Sequence, residues 1–304
     1  MVDVYLISGF LGSGKTSLLM HLLHDAKKAG LHAAVLMNEF GELGIDTKTI
    51  ETEDGSIPMK EILNGCICCT GSENTEAQLQ GLLVENPTLD VIFIETTGAA
   101  HPVEALDAVY SPLFADRLQV KGIVTVVDLK RWTNLSALSP QMRALFIEQI
   151  RHAHFLIGNK ADLLTPGELA EVTFAIQNFQ PNVPLVQTEG ARVNFKDIES
   201  RLTDAIESFD ETTFDGHLLP LQSKLLTFDR PVDREKFEDW VRTLPETMYR
   251  MKGYVPLTTS EKPYSFQYAY GMVHWLPEEI KMKPQVVIIG EGILDIEFDE
   301  QIYA

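Results

Sequence analysis

Residues 9–16 have the sequence GFLGSGKT, which fits the pattern G-x-x-x-x-G-K-[ST] of a phosphate-binding P-loop. The flanking residues predict the structure that such a loop requires. Residues 4–7 are apolar and rich in β-forming side chains, which predicts a buried strand. No helix breaker occurs between residue 17 and Gly30, which predicts a helix. A strand, a glycine loop and a helix in this order indicate an α/β nucleotide-binding fold rather than a glycine-rich turn without function.

The P-loop pattern gives each of its residues an expected role. Lys15 is expected to bridge the terminal phosphates and the Thr16 hydroxyl to ligate Mg²⁺. Backbone N–H groups of the loop and of the first helical turn would point at the phosphates, where the helix dipole favours negative charge. The other predicted nucleotide-binding residues of this stretch are Gly9, Gly12, Ser13, Gly14 and Ser17.

A further predicted strand, residues 90–98, ends in an acid and a glycine. After a P-loop, this is the position of an acid near Mg²⁺ and the γ-phosphate, so Glu95 is a predicted Mg²⁺ ligand. Lys15, Thr16 and Glu95 are the predicted catalytic residues. Gly98 would allow the backbone to approach the γ-phosphate. His101 follows this loop and is either a metal ligand or an ordinary loop histidine.

Residues 159–162 have the sequence NKAD and follow a further predicted strand. N-K-x-D in this position is the guanine-reading loop of P-loop GTPases. The Asp162 carboxylate can accept from both N1–H and the N2 amino group of guanine, which adenine cannot offer. Asn159 can orient the loop and meet the base edge, while the stem of Lys160 packs on the base. The sequence therefore predicts GTP as the nucleotide.

All three cysteines of the chain, Cys66, Cys68 and Cys69, lie within four positions. In extended backbone alternate side chains share a face, so Cys66 and Cys68 would project together, and a turn at Cys69 could add the third. Thiolates suit Zn²⁺, which takes four tetrahedral ligands, so three cysteines would leave one position open for a metal that is passed on. The alternatives are a redox cysteine pair and three buried cysteines that act as small apolar groups.

An acidic loop with Glu39, Glu42 and Asp46 follows the second predicted strand, residues 32–37. Because ligands of parallel sheets bind at the carboxyl ends of the strands, these acids are candidates to face Mg²⁺, the attacking water or a second metal. The alternative is a solvated acidic turn.

The chain has 25 Lys and Arg against 44 Asp and Glu, which gives 25 − 44 = −19. This charge argues against nucleic acid or an anionic membrane as a partner, because both reward basic patches. No apolar run approaches the length of a membrane span and no signal peptide is recognisable, so we expect a cytoplasmic protein.

The pattern predicts two domains. Residues 1–208 alternate strands and helices, which predicts a P-loop NTPase domain with a mostly parallel sheet flanked by helices. Residues 209–217 are acidic and predict a linker. Residues 218–304 predict a smaller α+β domain without a recognisable chemical motif.

The order of the motifs resembles the CobW branch of the CobW/HypB/UreG GTPases, which are metallochaperones and metal-insertion factors. The resemblance also extends to the C-terminal domain of CobW, through residues 228–231, 252–253 and 288–290. The segments of the first domain that carry it are the P-loop, NEFGE at 38–42, GCICC at 65–69, ETTG at 95–98 and NKAD at 159–162.

This resemblance implies GTP hydrolysis coupled to the binding and delivery of a divalent transition metal, with zinc favoured, and Cys66, Cys68 and Cys69 as the metal site. A client metalloprotein is the implied partner, with the C-terminal domain as its candidate docking surface. The chain departs from the commoner family pattern at His101 and lacks the histidine-rich stretch of some relatives. A nucleotide-gated zinc buffer or sensor and a P-loop small-molecule kinase are the alternative functions.

Overall fold

The computed structural model describes residues 1–37, 49–52, 55–61, 72–207, 221–269, 271–278 and 282–303. The acidic loop with Glu39, Glu42 and Asp46, the cysteines Cys66, Cys68 and Cys69, and the predicted linker lie outside the described residues. Within the described part, no helix is both long and apolar enough to cross a membrane.

The chain divides into two compact units. The first combines Met1–Val109 with Arg117–Leu218, and the second combines Tyr110–Asp116 with Leu219–Ala304. The short segment Tyr110–Asp116 thus groups with the C-terminal residues. Two of its polar contacts lie inside that second unit: the side-chain amide of Gln285 donates to the Pro112 carbonyl at 2.9 Å, and Lys283 pairs with Asp116 at 3.0 Å.

The first unit is built on an eight-stranded sheet with the order β3-β4-β2-β5-β1-β6-β7-β8. All strand pairs are parallel except the hairpin of β3 and β4, which is antiparallel. The strands are β1 Val2–Gly9, β2 Ala33–Met37, β3 Thr49–Thr52, β4 Gly55–Glu61, β5 Val91–Glu95, β6 Leu118–Asp128, β7 Phe155–Asn159 and β8 Leu185–Gln187.

Helices occupy the connections β1–β2, β4–β5, β5–β6, β6–β7 and β7–β8. A parallel sheet needs such crossovers, and helices cover its faces, which is why the central strands are apolar at almost every position. Tyr5 of β1, Phe93 of β5 and Phe195 meet edge to face or tilted at centroid distances of 5.3–5.8 Å. The helices of this unit are α1 Lys15–Lys28, α2 Ser72–Glu85, α3 Pro102–Asp107, α4 Leu129–Trp132, α5 Pro140–Arg151, α6 Pro166–Phe179 and α7 Phe195–Glu207.

The predicted P-loop NTPase fold is confirmed, and the helices that the sequence pattern predicts at about residues 140–151 and 195–207 are α5 and α7 of the structure. Helix α6 and the strands β3 and β4 were not predicted. Signals for α6 are present in the sequence: Thr165 and Glu168 form a capping box, and Pro166 takes the first helical position, where its missing N–H costs nothing.

The second unit contains a five-stranded antiparallel sheet with the order β12-β11-β10-β13-β9, which confirms the predicted α+β class. Its core is aromatic. Phe237 is fully buried and packs edge to face on Phe266 at 5.0 Å and on Trp275 at 5.9 Å. The elements are β9 Gln222–Thr227, α8 Arg234–Thr243, β10 Met248–Val255, β11 Tyr264–Ala269, β12 Met272–Pro277 and β13 Gln285–Gly290, of which β12 was not predicted.

We expect Phe237→Ala to lower the free energy of unfolding of the second unit by about 3–5 kcal/mol, because it empties the centre of the aromatic core. Leu276→Ala is the control: Leu276 is 58% exposed in the same sheet, and its truncation should change stability by less than about 0.5 kcal/mol. Denaturant unfolding followed by tryptophan fluorescence measures both, since Trp240 and Trp275 lie in this core. Equal unfolding midpoints for the two variants would contradict the assignment of Phe237 to the centre of the core.

Candidate functional site

The P-loop links the carboxyl end of β1 to the start of α1. Gly14 is the residue that precedes the helix, and its φ of +111° lies in the left-handed region. A Cβ atom there would lie 2.4 Å from the side-chain nitrogen of Asn159, so the loop can pass this close only at a glycine. A glycine loop that leads into a helix N-terminus is the setting in which backbone N–H groups bind an anion.

The polar side chains of the P-loop have different surroundings. Lys15 is buried, and its ammonium group donates to the Phe10 carbonyl at 3.2 Å. The hydroxyl of Ser13 is fully buried and has no hydrogen-bond partner among the described residues. A buried donor of this kind is costly without a partner, which suits a hydroxyl kept for a phosphate oxygen. Ser17 is exposed on the first turn of α1.

Thr16 and Glu95 are in direct contact although 79 positions separate them in the chain. The Thr16 hydroxyl donates to Oε1 of Glu95 at 2.9 Å. The contact forms because β1 and β5 are parallel neighbours, with Ile7 opposite Glu95, so both strands end at the same edge. A hydroxyl beside a carboxylate is the oxygen donor set that Mg²⁺ prefers, so these two residues fit the ion.

The loop after β5 lies against the P-loop. A Cβ atom at Gly98 would lie 2.4 Å from the backbone nitrogen of Leu11. The side chain of Gln149, on α5, is buried and donates to the carbonyls of Gly98 at 3.1 Å and Ala100 at 3.2 Å. Gln149 was not predicted as a site residue, and no local sequence signal identifies it, because its partners are backbone groups about 50 positions away.

Asn159 connects three loops through one buried side chain. Its amide nitrogen donates to the Ser13 carbonyl of the P-loop at 2.7 Å. Its amide oxygen accepts from the backbone N–H of Ala191 at 2.8 Å and from the Thr188 hydroxyl at 3.4 Å. The phosphate-binding loop and the NKAD loop therefore belong to one site, together with the loop that follows β8.

Lys160 has a φ of +63°, which turns the chain sharply after β7. Its ammonium group pairs with Oδ2 of Asp128 at 2.6 Å, and Oδ1 of the same carboxylate caps α4 through the Arg131 N–H at 2.9 Å. Asp128 was not predicted as a site residue. The signal that identifies Glu95, an acid at the end of a buried strand, was present here as well. Asp162 lies exposed in the next short turn, open to a ligand.

His101 lies at the start of α3, where its Nδ1 accepts from the Val103 N–H at 3.3 Å. Its neighbours are Glu148 of α5 and His152, the residue that caps the C-terminal end of this helix. A hydrogen bond with His152 holds the pKa of Glu148 below its usual range, although partial burial opposes the shift.

The roles assigned from the sequence to Glu39, Glu42, Asp46 and the three cysteines stay predictions, because those residues lie outside the described part.

Two family models match the chain. Residues 3–187 match the model of the CobW/HypB/UreG nucleotide-binding domain, and residues 221–302 match that of the cobalamin synthesis protein cobW C-terminal domain. The chain belongs to the CobW/HypB/UreG family.

Curated relatives carry names that refer to zinc. The chain is 34% identical over 206 residues to the zinc chaperone CobW of Pseudomonas aeruginosa, which covers 59% of this chain and 54% of that protein. It is 34% identical over 198 residues to the zinc-regulated GTPase metalloprotein activator 1 of Schizosaccharomyces pombe. This match covers 64% of this chain and 47% of that protein. The chain thus spans about half the length of the curated relatives it matches.

Solved structures agree with the fold. The zinc-bound YjiA GTPase from E. coli superimposes with a TM-score of 0.50 at 20% identity, over 96% of this chain and 94% of that one. A zinc-bound triple mutant of YjiA gives a TM-score of 0.51, over 96% of this chain and 95% of that one. At this identity the likeness shows the fold alone.

We expect Asn159→Asp to destabilise the first unit, because the substitution turns the donor that faces the Ser13 carbonyl into an acceptor. The loss should be about 1–3 kcal/mol, the cost of an unmade buried hydrogen bond. Thermal unfolding without ligand measures it. Asn134→Asp is the matched control, since Asn134 is exposed and its side chain makes no capping hydrogen bond. If both variants have the melting temperature of the wild type, the hydrogen bonds of Asn159 do not hold the loops together.

Proposed function

We propose that this chain is a GTP-hydrolysing metal chaperone that binds a divalent transition metal, zinc by preference, and delivers it to a client protein. The observation that carries the proposal is the Asn159 side chain, which joins the P-loop to the NKAD loop through the Ser13 carbonyl. A phosphate-binding loop and a base-reading loop in one site are what a guanine nucleotide requires.

The phosphate end of the site offers a cation, a hydroxyl and a carboxylate. Lys15 would exchange its contact with the Phe10 carbonyl for a contact with the terminal phosphates. There it would stabilise the charge that develops as the γ-phosphoryl group is transferred to water. Thr16 and Glu95 would hold Mg²⁺, which neutralises phosphate charge when bound. The residue that positions the attacking water is not assigned; Glu39, Glu42 and Asp46 are the candidates.

The base end of the site supports guanine over adenine. The ion pair of Lys160 with Asp128 and the left-handed backbone at Lys160 fix the turn that leads to Asp162. A carboxylate that is fixed in position and exposed can accept two N–H groups of guanine at once. Such charge-assisted bidentate recognition gives both affinity and selectivity.

The metal cargo is assigned to Cys66, Cys68 and Cys69. Relatives named zinc chaperones and a relative named a zinc-regulated GTPase metalloprotein activator support zinc as the cargo and a metalloprotein as the client. Thiolates from three cysteines leave one coordination position for transfer to that client. The C-terminal domain is the candidate docking surface for the client.

Nucleotide state would control the metal through the acidic loop and the cysteine loop. GTP and Mg²⁺ would order both loops and so assemble the metal site, and hydrolysis would relax them and release the metal. Gly98 lies against Leu11 of the P-loop, which would let the backbone after β5 approach the γ-phosphate.

Asp162→Asn should weaken GTP by about 2–4 kcal/mol, because an amide cannot accept both guanine N–H groups. The variant should gain activity with xanthosine triphosphate, whose 2-oxo group accepts from the new amide. Steady-state hydrolysis of GTP, ATP and XTP measures the effect, with the exposed Asp197→Asn as the control. Hydrolysis of ATP by the wild type at the rate of GTP would remove the guanine assignment, and phosphate transfer to a metabolite would favour a kinase.

Zinc affinity should depend on nucleotide state by about 5–150-fold, and zinc should change GTP affinity by the same factor. Competition titrations with GDP and with a non-hydrolysable GTP analogue measure this coupling. Cys66→Ser and Cys68→Ser should weaken zinc most, and affinity should fall as the pH drops because thiolates bind only after losing protons. Equal zinc affinity in both nucleotide states with negligible hydrolysis would indicate a zinc buffer or sensor instead.

A further inference from the structure

His101, Glu148 and His152 form a compact cluster in the first unit. Oε2 of Glu148 lies 3.2 Å from Nε2 of His152 and 3.9 Å from Nε2 of His101. The two imidazole rings are 5.6 Å apart between centroids. One ligand atom from each of the three residues lies within 4.8 Å of the other two. His152 is 2% exposed, and the other two side chains are partly buried.

We propose that these three residues form a second divalent transition-metal site, which shares no residue with the three cysteines and takes a zinc-like cation. Two imidazoles and one carboxylate are a ligand set that zinc uses, with a fourth position left for water or another ligand. The inference goes beyond the chaperone function and does not depend on it.

Helix geometry explains why two of the ligands converge. Glu148 lies on α5 and His152 is the residue that caps the C-terminal end of this helix, four positions later, so the two side chains lie on the same side one turn apart. His101 comes from a different element, at the start of α3. A metal at this point would therefore join α5 to the segment that follows β5.

The two distances from Glu148 to the histidines can be compared with those of a tetrahedral site. Ligand atoms at about 2.0–2.1 Å from zinc at tetrahedral angles are about 3.3–3.4 Å apart. The Glu148–His152 pair at 3.2 Å is already at this spacing. The His101–Glu148 pair at 3.9 Å needs to close by only about 0.5 Å, which side-chain rotation can supply.

Charge at the cluster also suits a cation. A carboxylate is ordinarily ionised at neutral pH, and the ionised form is the one that binds metal. Arg151 approaches the other carboxylate oxygen, Oε1, at 3.6 Å, and leaves Oε2 to face the two histidines. The carboxylate can therefore keep this ion pair while Oε2 binds metal.

Binding would exchange two existing contacts, the hydrogen bond of His152 with Glu148 and the cap that His101 forms with Val103. Nδ1 of His101 accepts a hydrogen bond from the Val103 N–H, so in the neutral ring the proton is on Nε2. Metal on Nε2 moves that proton to Nδ1, and the contact with Val103 is lost. Asparagine is among the best residues at a helix N-terminus, so His101→Asn removes the imidazole while keeping the cap.

The cluster lies next to the contacts that hold the loop after β5. Gln149, the neighbour of Glu148, donates to the carbonyls of Gly98 and Ala100. A metal bound by His101 and α5 would add a third link between this helix and the same segment. It would hold the loop to α5 whether or not nucleotide is bound.

Cobalt(II) titration of the full chain tests the site, because cobalt reports its ligands by absorption. In a Cys66→Ser, Cys68→Ser, Cys69→Ser background, we expect one cobalt per chain, with visible d–d bands and no thiolate charge-transfer band. Adding Glu148→Gln or His101→Asn should weaken cobalt by at least about 100-fold, the upper range for loss of an outer-shell partner. His32→Asn is the control, since His32 pairs with Asp90 at 3.2 Å at an exposed site, and should leave affinity unchanged.

Two results would overturn the proposal. One is the absence of cobalt binding in the triple-serine background, provided that its circular dichroism and melting temperature match the wild type. The other is a wild-type site whose thiolate band disappears on His101→Asn, because His101 would then belong to the cysteine site. If the triple-serine chain does not fold, cobalt stoichiometry in the wild type decides the matter. A cobalt ion without a thiolate band that Glu148→Gln removes supports the proposal, and the absence of such an ion overturns it.

Discussion

The buried amide of Asn159 is the contact on which the arrangement of the site depends. It donates to the P-loop at Ser13 and accepts from the loop after β8 at Ala191. A buried amide that lost one of these partners would pay the cost of an unmade hydrogen bond, so the three loops are stable only together. The close approach at Gly14, where any Cβ would meet Asn159, is the steric side of the same constraint. The sheet positions the strand ends, and this one side chain sets the spacing between the loops.

The parallel sheet explains why acids matter at the strand ends. Strands β5, β1, β6 and β7 are consecutive neighbours, and each delivers its last residues to one edge. That edge therefore collects Glu95, the P-loop, Asp128 and Asn159, which are far apart in the chain. Glu95 meets a hydroxyl, whereas Asp128 meets an ammonium group and a helix N-terminus. An acid at a strand end thus suits a metal ion in the case of Glu95 and supports a loop in the case of Asp128.

The sequence allowed the fold class, most elements and the contact of the P-loop with Glu95 to be predicted, because these follow from local patterns and from strand order. It did not reveal Gln149 or Asp128 as site residues. Gln149 acts on backbone carbonyls about 50 positions away, which leaves no local pattern. The strands β3 and β4 were missed for a related reason: residues 49–61 mix polar, charged and apolar residues without a clear period of two, so tertiary pairing decides their form.

Helix α5 shows how one element can serve the site from two sides. Its Gln149 faces the backbone of the loop after β5, while Glu148 and His152, one turn apart, face His101 at the end of the same segment. The loop is confined at its other side by Leu11 of the P-loop, since Gly98 leaves no room for a Cβ. A segment fixed between a phosphate-binding loop and a rigid helix cannot move toward one without changing its contacts with the other. A nucleotide-driven movement of this loop away from α5 must therefore break its two carbonyl contacts with Gln149.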